Sequence, residues 1–230
     1  MRYSLINPNK YLDTNIAGFI NLLKSIKNKK IKKFFYASSS SVYGDTKIFP
    51  LKENFKLSPK NLYAKTKVQN EKDAKNFKKD FKKNIIGLRF FTIYGEWGRP
   101  DMLILKLLSF KRKNLFFELN NRGNHYRDFT YIKDVVSIIL KLRNQKISGH
   151  DIYNICSNNP VGLKKIILFV SKFTPKTKII LRSKQLADIY KTHGDNKKIL
   201  KKNKKFKFTN LNTSILNTIN WYKKYQNLFN

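Results

Sequence analysis

The chain has 230 residues, 49 Lys or Arg against 14 Asp or Glu (formal charge +35), and 41% apolar residues. That is enough for one domain with a real core, or for one domain plus a small lobe. A single cysteine, Cys156, excludes an internal disulfide, and no apolar run approaches the ~20 residues that span a bilayer.

Asn7-Pro8 is a cap and first-turn signal, and Ile16, Phe19, Ile20, Leu23 and Ile26 mark one apolar face of the helix that follows. Residues 33–38 read as a buried strand that ends abruptly in four hydroxyls, Ser38 to Ser41. Residues 39–57 read as a loop broken by Gly44 and Pro50. Ser58-Pro59 then reads as the start of a helix over 59–82, with Tyr63 and Lys67 one turn apart on one face. A second buried strand spans Asn84 to Phe91, and Thr92 to Pro100 is a loop at its carboxyl end, where ligands bind in open α/β sheets. Leu103 to Leu108 begins a helix, Leu115 to Leu119 is a short strand and Asn120 to Asn124 a turn. Ile132 to Leu142 is helical, and Asp151 to Cys156 is a third core strand with Cys156 as a core thiol. A helix at 161–172, a strand Lys178–Leu181 and an amphipathic helix Ile215 to Tyr222 complete the series. The basic run Lys197–Lys207 reads as a solvated helix and loop.

Lysines fall across every one of these elements instead of gathering on one. With Ile, Asn, Phe and Tyr also abundant, the charge reads as compositional drift rather than as a nucleic-acid or membrane surface. Only eight residues are arginine, and Arg89, Arg99 and Arg127 lie in motif-like stretches that suit a planar fork for phosphate or carboxylate. His125, His150 and His193 are scattered and expected at the surface, with no metal-ligand spacing. No signal-peptide h-region follows Met1, so the expectation is a cytoplasmic protein.

Serine, tyrosine and lysine converging on one spot make a proton-transfer site, because a lysine charge favours tyrosinate and a serine hydroxyl can bond the reacting oxygen. Four stretches occur in order: Ser38-Ser39-Ser40-Ser41-Val42-Tyr43-Gly44; Tyr63-Ala64-Lys65-Thr66-Lys67; Gly87-Leu88-Arg89-Phe90-Phe91-Thr92-Ile93-Tyr94-Gly95-Glu96-Trp97-Gly98-Arg99-Pro100-Asp101-Met102; and Arg127-Asp128-Phe129-Thr130-Tyr131-Ile132. Together they resemble the extended short-chain dehydrogenase/reductases, the NAD-dependent nucleotide-sugar epimerases and dehydratases, and in particular the branch that epimerises UDP-glucuronate at C4. The resemblance runs from about Arg2 to about Leu200.

The resemblance implies an α/β fold: the carboxyl-terminal part of a doubly wound parallel-sheet, Rossmann-like domain with a small α/β substrate-binding lobe. Residues 1–160 would form a partial NAD-binding domain, with 100–130 contributing to the lobe, and 161–230 mainly the lobe. It implies NAD as cofactor and a nucleotide sugar as substrate. Tyr63 would be the base, Lys67 would support it and hold the nicotinamide ribose, and Ser39 would bond the sugar 4-oxygen. Ser40 and Ser41, expected beside Ser39 on the substrate side, stand where dehydratases carry acidic residues, which argues for epimerisation. Thr92 and Arg99 would face the uronate carboxylate, and Arg127 the diphosphate. Asp188 and Asp195 match a downstream segment only loosely, and nothing is carried over to them.

One feature departs from the family pattern. Neither Gly-x-Gly-x-x-Gly nor Gly-x-x-Gly-x-x-Gly follows a strand, so the loop that holds the cofactor pyrophosphate is missing. The expectation is a truncated or split enzyme that begins after the fourth strand, active when a separate amino-terminal fragment supplies the rest; the resemblance also implies a homodimer. The alternatives are a non-catalytic remnant or nucleotide-sugar-binding domain, and a cationic nucleic-acid binder.

Overall fold

The computed structural model describes residues 6–78, 84–112, 116–174, 178–183 and 189–229. The Arg2-Tyr3-Ser4 segment, Leu115 and Asp188 lie outside them.

Three strands, β1 (Lys33–Ser39), β2 (Asn84–Phe90) and β6 (His150–Ile155), form a parallel sheet in the order β1-β2-β6. β2 is central, and alternate residues face opposite sides. Ile85 packs with Leu23, Ile26 and Ala74 from helices α2 (Gly18–Ile26) and α3 (Leu62–Phe77). Ile86 and Leu88 pack on the other side with Val135, Ile138 and Leu142 of α5 (Ile132–Asn144). Helices thus cover both faces of a parallel sheet, as its apolar strands require.

A second core lies beside the sheet. It joins α4 (Leu103–Arg112), α6 (Leu163–Ser171) and α8 (Leu211–Tyr225) to the short strands β4 (Phe117–Leu119), β5 (Tyr126–Tyr131) and β7 (Pro160–Gly162). β5 pairs in parallel with β3 (Thr92–Tyr94) and antiparallel with β7, and β4 pairs with β8 (Ile179–Leu181).

Several expectations need correction. The helix of Tyr63 starts at Leu62, not at Pro59, because Asn61 takes the cap: its Oδ1 accepts from the Ala64 amide at 2.9 Å. Residues 92–94 and 126–131 are strands that bridge the sheet to the second core, where a loop and an unassigned motif were expected. The loop after β1 opens with a 3-10 turn, Ser40–Tyr43. None of the three histidines is a plain surface residue: His125 is buried, His150 meets the Tyr36 hydroxyl at 2.9 Å, and His193 meets Asn158 at 2.7 Å. The basic run is only half solvated. Its helix α7 (Lys197–Lys202) buries Ile199 against β6 and α5, and Lys198 pairs with Asp151.

The amino-terminal helix α1 (Pro8–Leu12) is capped by Asn7 with Pro8 at its first position, as expected, and runs through a π turn into α2. Cys156 is buried. No helix among the described residues is long and apolar enough to cross a membrane.

Candidate active site at the end of β1

Ser39 is the last residue of β1. Its hydroxyl accepts from the Ser41 amide at 3.2 Å and donates to the Ser41 hydroxyl at 3.0 Å, capping the turn that Ser40 and Ser41 begin. Val42 and Tyr43 are buried and anchor that turn. Gly44 then reverses the chain at φ 73°, with the Ser58 carbonyl 2.0 Å from where a Cβ would lie, so only glycine fits.

Tyr63 and Lys67 project from α3. The Lys67 ammonium lies 5.9 Å from the Tyr63 ring centroid and donates to the Ala37 carbonyl at 3.0 Å, two residues before Ser39. Partial burial holds the Lys67 pKa below its ordinary value. Tyr11 of α1 meets the Tyr63 ring edge-on at 6.2 Å. The Asn15 side chain donates to Thr66 at 3.0 Å, and the Asn70 side chain to the Asn15 carbonyl at 2.6 Å; both bonds fix the π turn against α3.

Beneath Ser39 lies a buried network that the sequence reading missed. Arg89 of β2 makes a two-pronged bond to Glu71 of α3, at 2.8 and 2.7 Å. Its remaining nitrogen donates to the Tyr43 hydroxyl at 2.8 Å and the Glu53 carbonyl at 3.0 Å. Ser38 donates to Glu71 at 2.5 Å, and Tyr43 donates to Asn154 at 2.7 Å. Burial alone would lower the Arg89 pKa, but Glu71 and Tyr43 hold it above its ordinary value. Burial pushes the Tyr43 phenol up to about 12. A usable signal was present: an arginine inside an apolar strand must find a buried partner, and Glu71 follows Lys67 by one helical turn.

The residues expected to meet anions fall in two places. Thr92 and Arg127 line one cavity of about 280 Å³ with Gly95, Gly98, Met102 and Phe129. Arg127 also donates to the Tyr126 and Tyr190 carbonyls, at 2.8 and 3.1 Å. Arg99 is outside that lining and pairs in solvent with Asp101 at 2.5 Å. Its loop is pinned by Glu96, which accepts from Tyr131 at 2.7 Å and meets Lys133 at 3.0 Å. Burial opposes the Glu96 charge, yet these bonds keep its pKa below the ordinary value. Gly95 turns the loop at φ 135°, tight against Ile132.

Residues 1–156 match the family described as NAD dependent epimerase/dehydratase. The chain belongs to this family. It is 32% identical to UDP-glucuronate 4-epimerase 4 of Arabidopsis thaliana over 98% of its own length, but spans only 56% of that protein. The fold superposes on MoeE5, solved with UDP-glucuronic acid and NAD, with a TM-score of 0.90 at 25% identity, covering 96% of this chain and 75% of that one. It also superposes on UDP-glucuronic acid 4-epimerase from Bacillus cereus, solved with UDP-glucuronic acid and NAD (TM-score 0.87, 25% identity, 94% of this chain and 69% of that one).

The family's cofactor can be tested against the residues present. The reactive end of NAD fits: Lys67 lies at the rim of the sheet beside Tyr63 and the end of β1, where a ribose hydroxyl could replace the Ala37 carbonyl as its partner. The pyrophosphate end finds no glycine loop leading into a helix among the described residues.

Proposed function

We propose that this chain carries the substrate-binding and proton-transfer half of an NAD-dependent nucleotide-sugar epimerase acting on UDP-glucuronate at C4. The observation that carries the reading is Lys67, bonded two residues before Ser39 and one helical turn from Tyr63. Tyr63 takes the proton of the sugar 4-hydroxyl, and the neighbouring Lys67 charge favours the tyrosinate that does so. Ser39 donates to the 4-oxygen as it becomes a carbonyl. NAD, when bound, supplies the reversible oxidation at C4, and Lys67 and Tyr63 would hold its ribose. Arg127 meets the diphosphate, while Thr92 and Arg99 meet the uronate carboxylate, Arg99 exchanging Asp101 for the ligand. Ser40 and Ser41 leave no acid–carboxylate pair for eliminating water, which favours epimerisation over dehydration.

We also propose that β1 pairs with one further parallel strand, carried by a separate amino-terminal fragment or by a longer form of the chain. The Asn84 amide bonds the Lys32 carbonyl, so even-numbered residues of β1 face β2. Lys33, Phe35, Ala37 and Ser39 therefore turn their backbone groups outward, an edge open to pairing except at the Ala37 carbonyl, which Lys67 holds. The proposed division assigns residues 1–160 to the cofactor domain and 161–230 mainly to the substrate lobe, in a cytoplasmic protein that pairs two copies beside α3. A second reading, a nucleotide-sugar binder without turnover, is favoured by the bond Lys67 already makes to Ala37.

The test is conversion of UDP-glucuronate to UDP-galacturonate with NAD, by the chain alone and with a fragment carrying the glycine loop. Turnover that Tyr63→Phe abolishes is expected. Tight binding of UDP-glucuronate without turnover under either condition would leave the second reading.

A further inference from the structure

Two residues of α3 one turn apart hold two successive residues of β1. Lys67 reaches the Ala37 carbonyl at 3.0 Å, and Glu71 accepts from the Ser38 hydroxyl at 2.5 Å. Glu71 is not free to move: Arg89 grips both its oxygens, and the same guanidinium holds Tyr43, in the turn that follows Ser39. Ser39 is therefore bracketed, with Ser38 before it and Tyr43 after it tied to one ion pair. Ser38, Glu71, Arg89 and Tyr43 are all buried. Stability alone does not explain such a pair, since well-packed apolar residues of similar volume serve a core as well or better. What a forked guanidinium–carboxylate pair provides is fixed direction.

We propose that Glu71, locked by Arg89, is a positioning residue that acts through the Ser38 hydroxyl to set the end of β1 against α3, and so sets Ser39 relative to Tyr63 and Lys67. This rests on the reading of those three residues as the reacting site. A shift of a fraction of an ångström between strand and helix would leave the sugar nucleotide bound at Arg127 and Thr92 yet misalign the proton transfer.

The experiment uses the full chain, under whichever of the two conditions above gives turnover. Ser38→Ala deletes one hydroxyl and leaves the Arg89–Glu71 pair intact. The expected result is a fall in kcat of about tenfold, with KM for UDP-glucuronate within about twofold and an almost unchanged melting temperature. Ser38→Thr, which keeps the hydroxyl, should recover most of the loss. Glu71→Gln combined with Ser38→Ala should be no slower than Glu71→Gln alone, because both changes break one route. An unchanged kcat in Ser38→Ala, or losses that simply add in the double variant, would overturn the proposal. So would a lower kcat and melting temperature with a raised KM, the mark of a merely structural bond.

A second readout needs no turnover. In the ligand-free chain, the Lys67 side-chain resonance followed by NMR should titrate at higher pH in Ser38→Ala, nearer ordinary lysine, as the loosened junction admits water. An unmoved Lys67 titration overturns the positioning role. Absence of epimerisation in the parent chain overturns only the functional reading.

Discussion

Two arginine–carboxylate pairs in this protein have the same chemistry and opposite settings. Arg89–Glu71 joins β2 to α3 at 2.7 Å with side chains 4% and 6% exposed. Arg99–Asp101 joins residues two apart in one loop at 2.5 Å with side chains 70% and 61% exposed. The Asp101 bond raises the Arg99 pKa, and Arg99 in turn lowers that of Asp101. Water screens the outer pair and would solvate either partner alone, so it holds little energy and can open for a better anion. The inner pair has no such alternative, and every group it touches is also committed. The outer pair suits a residue that must exchange partners, and the inner pair one that must not.

The sharpest way to break this contrast is to remove one member of each pair. Arg89→Met leaves Glu71 charged and buried and should cost about 3–5 kcal/mol in chemical denaturation. Arg89→Met with Glu71→Leu should recover most of that loss, since no uncompensated charge remains. If the double variant is as unstable as the single one, buried charge is not the cause. Arg99→Ala should change stability by less than about 0.5 kcal/mol. Its effect should appear in recognition, as weaker binding of UDP-glucuronate by about tenfold, ~1.4 kcal/mol, and little change for UDP-glucose. Equal losses for both sugars would remove Arg99 from the carboxylate.

The same contrast explains what could be read from the sequence. Strands β1, β2 and β6 were legible because apolar, β-branched and aromatic runs have few alternatives, and Tyr63 and Lys67 because helical spacing fixes their common face. The position of Arg99 was legible as motif but its partner was not, because Asp101 lies in the same loop and any exposed carboxylate would do. The Glu71–Ser38–Tyr43 network was missed for the opposite reason. Its members come from β1, the turn after it, β2 and α3, and only the register Ser38↔Arg89 brings them together. β5 was missed because its residues read as a motif, and its pairing with β3 and β7 depends on contacts far apart in sequence. The histidines were misjudged because local sequence carries no sign of burial by distant elements.

The smallest effect concerns His150, at the far end of β6, where burial again decides how a charge behaves. Burial lowers its pKa below the usual 6.5; Glu71 and Asp151 push it up, but less strongly. Its imidazole meets the Tyr36 hydroxyl at 2.9 Å, and burial pushes the Tyr36 pKa far above its ordinary value. Tyr36 therefore stays protonated and shares this hydrogen bond with a ring that burial favours in its neutral form. In the unfolded chain the imidazole takes its proton near 6.5, and in the folded chain at lower pH. The stabilisation is thus complete above 6.5 and is lost as pH falls below it. For a half-buried group screened by solvent, the loss is at most about 1 kcal/mol. Burial and Lys191 shift His193 the same way, so the difference between the parent chain and His150→Gln isolates the His150 share. Melting temperatures measured from about pH 7.5 down to about pH 5 should fall less steeply in His150→Gln. Parallel curves would mean that the ring is as free to charge in the fold as in water, and that burial on this side of the sheet does not carry the energetic weight given to it at Arg89 and Glu71.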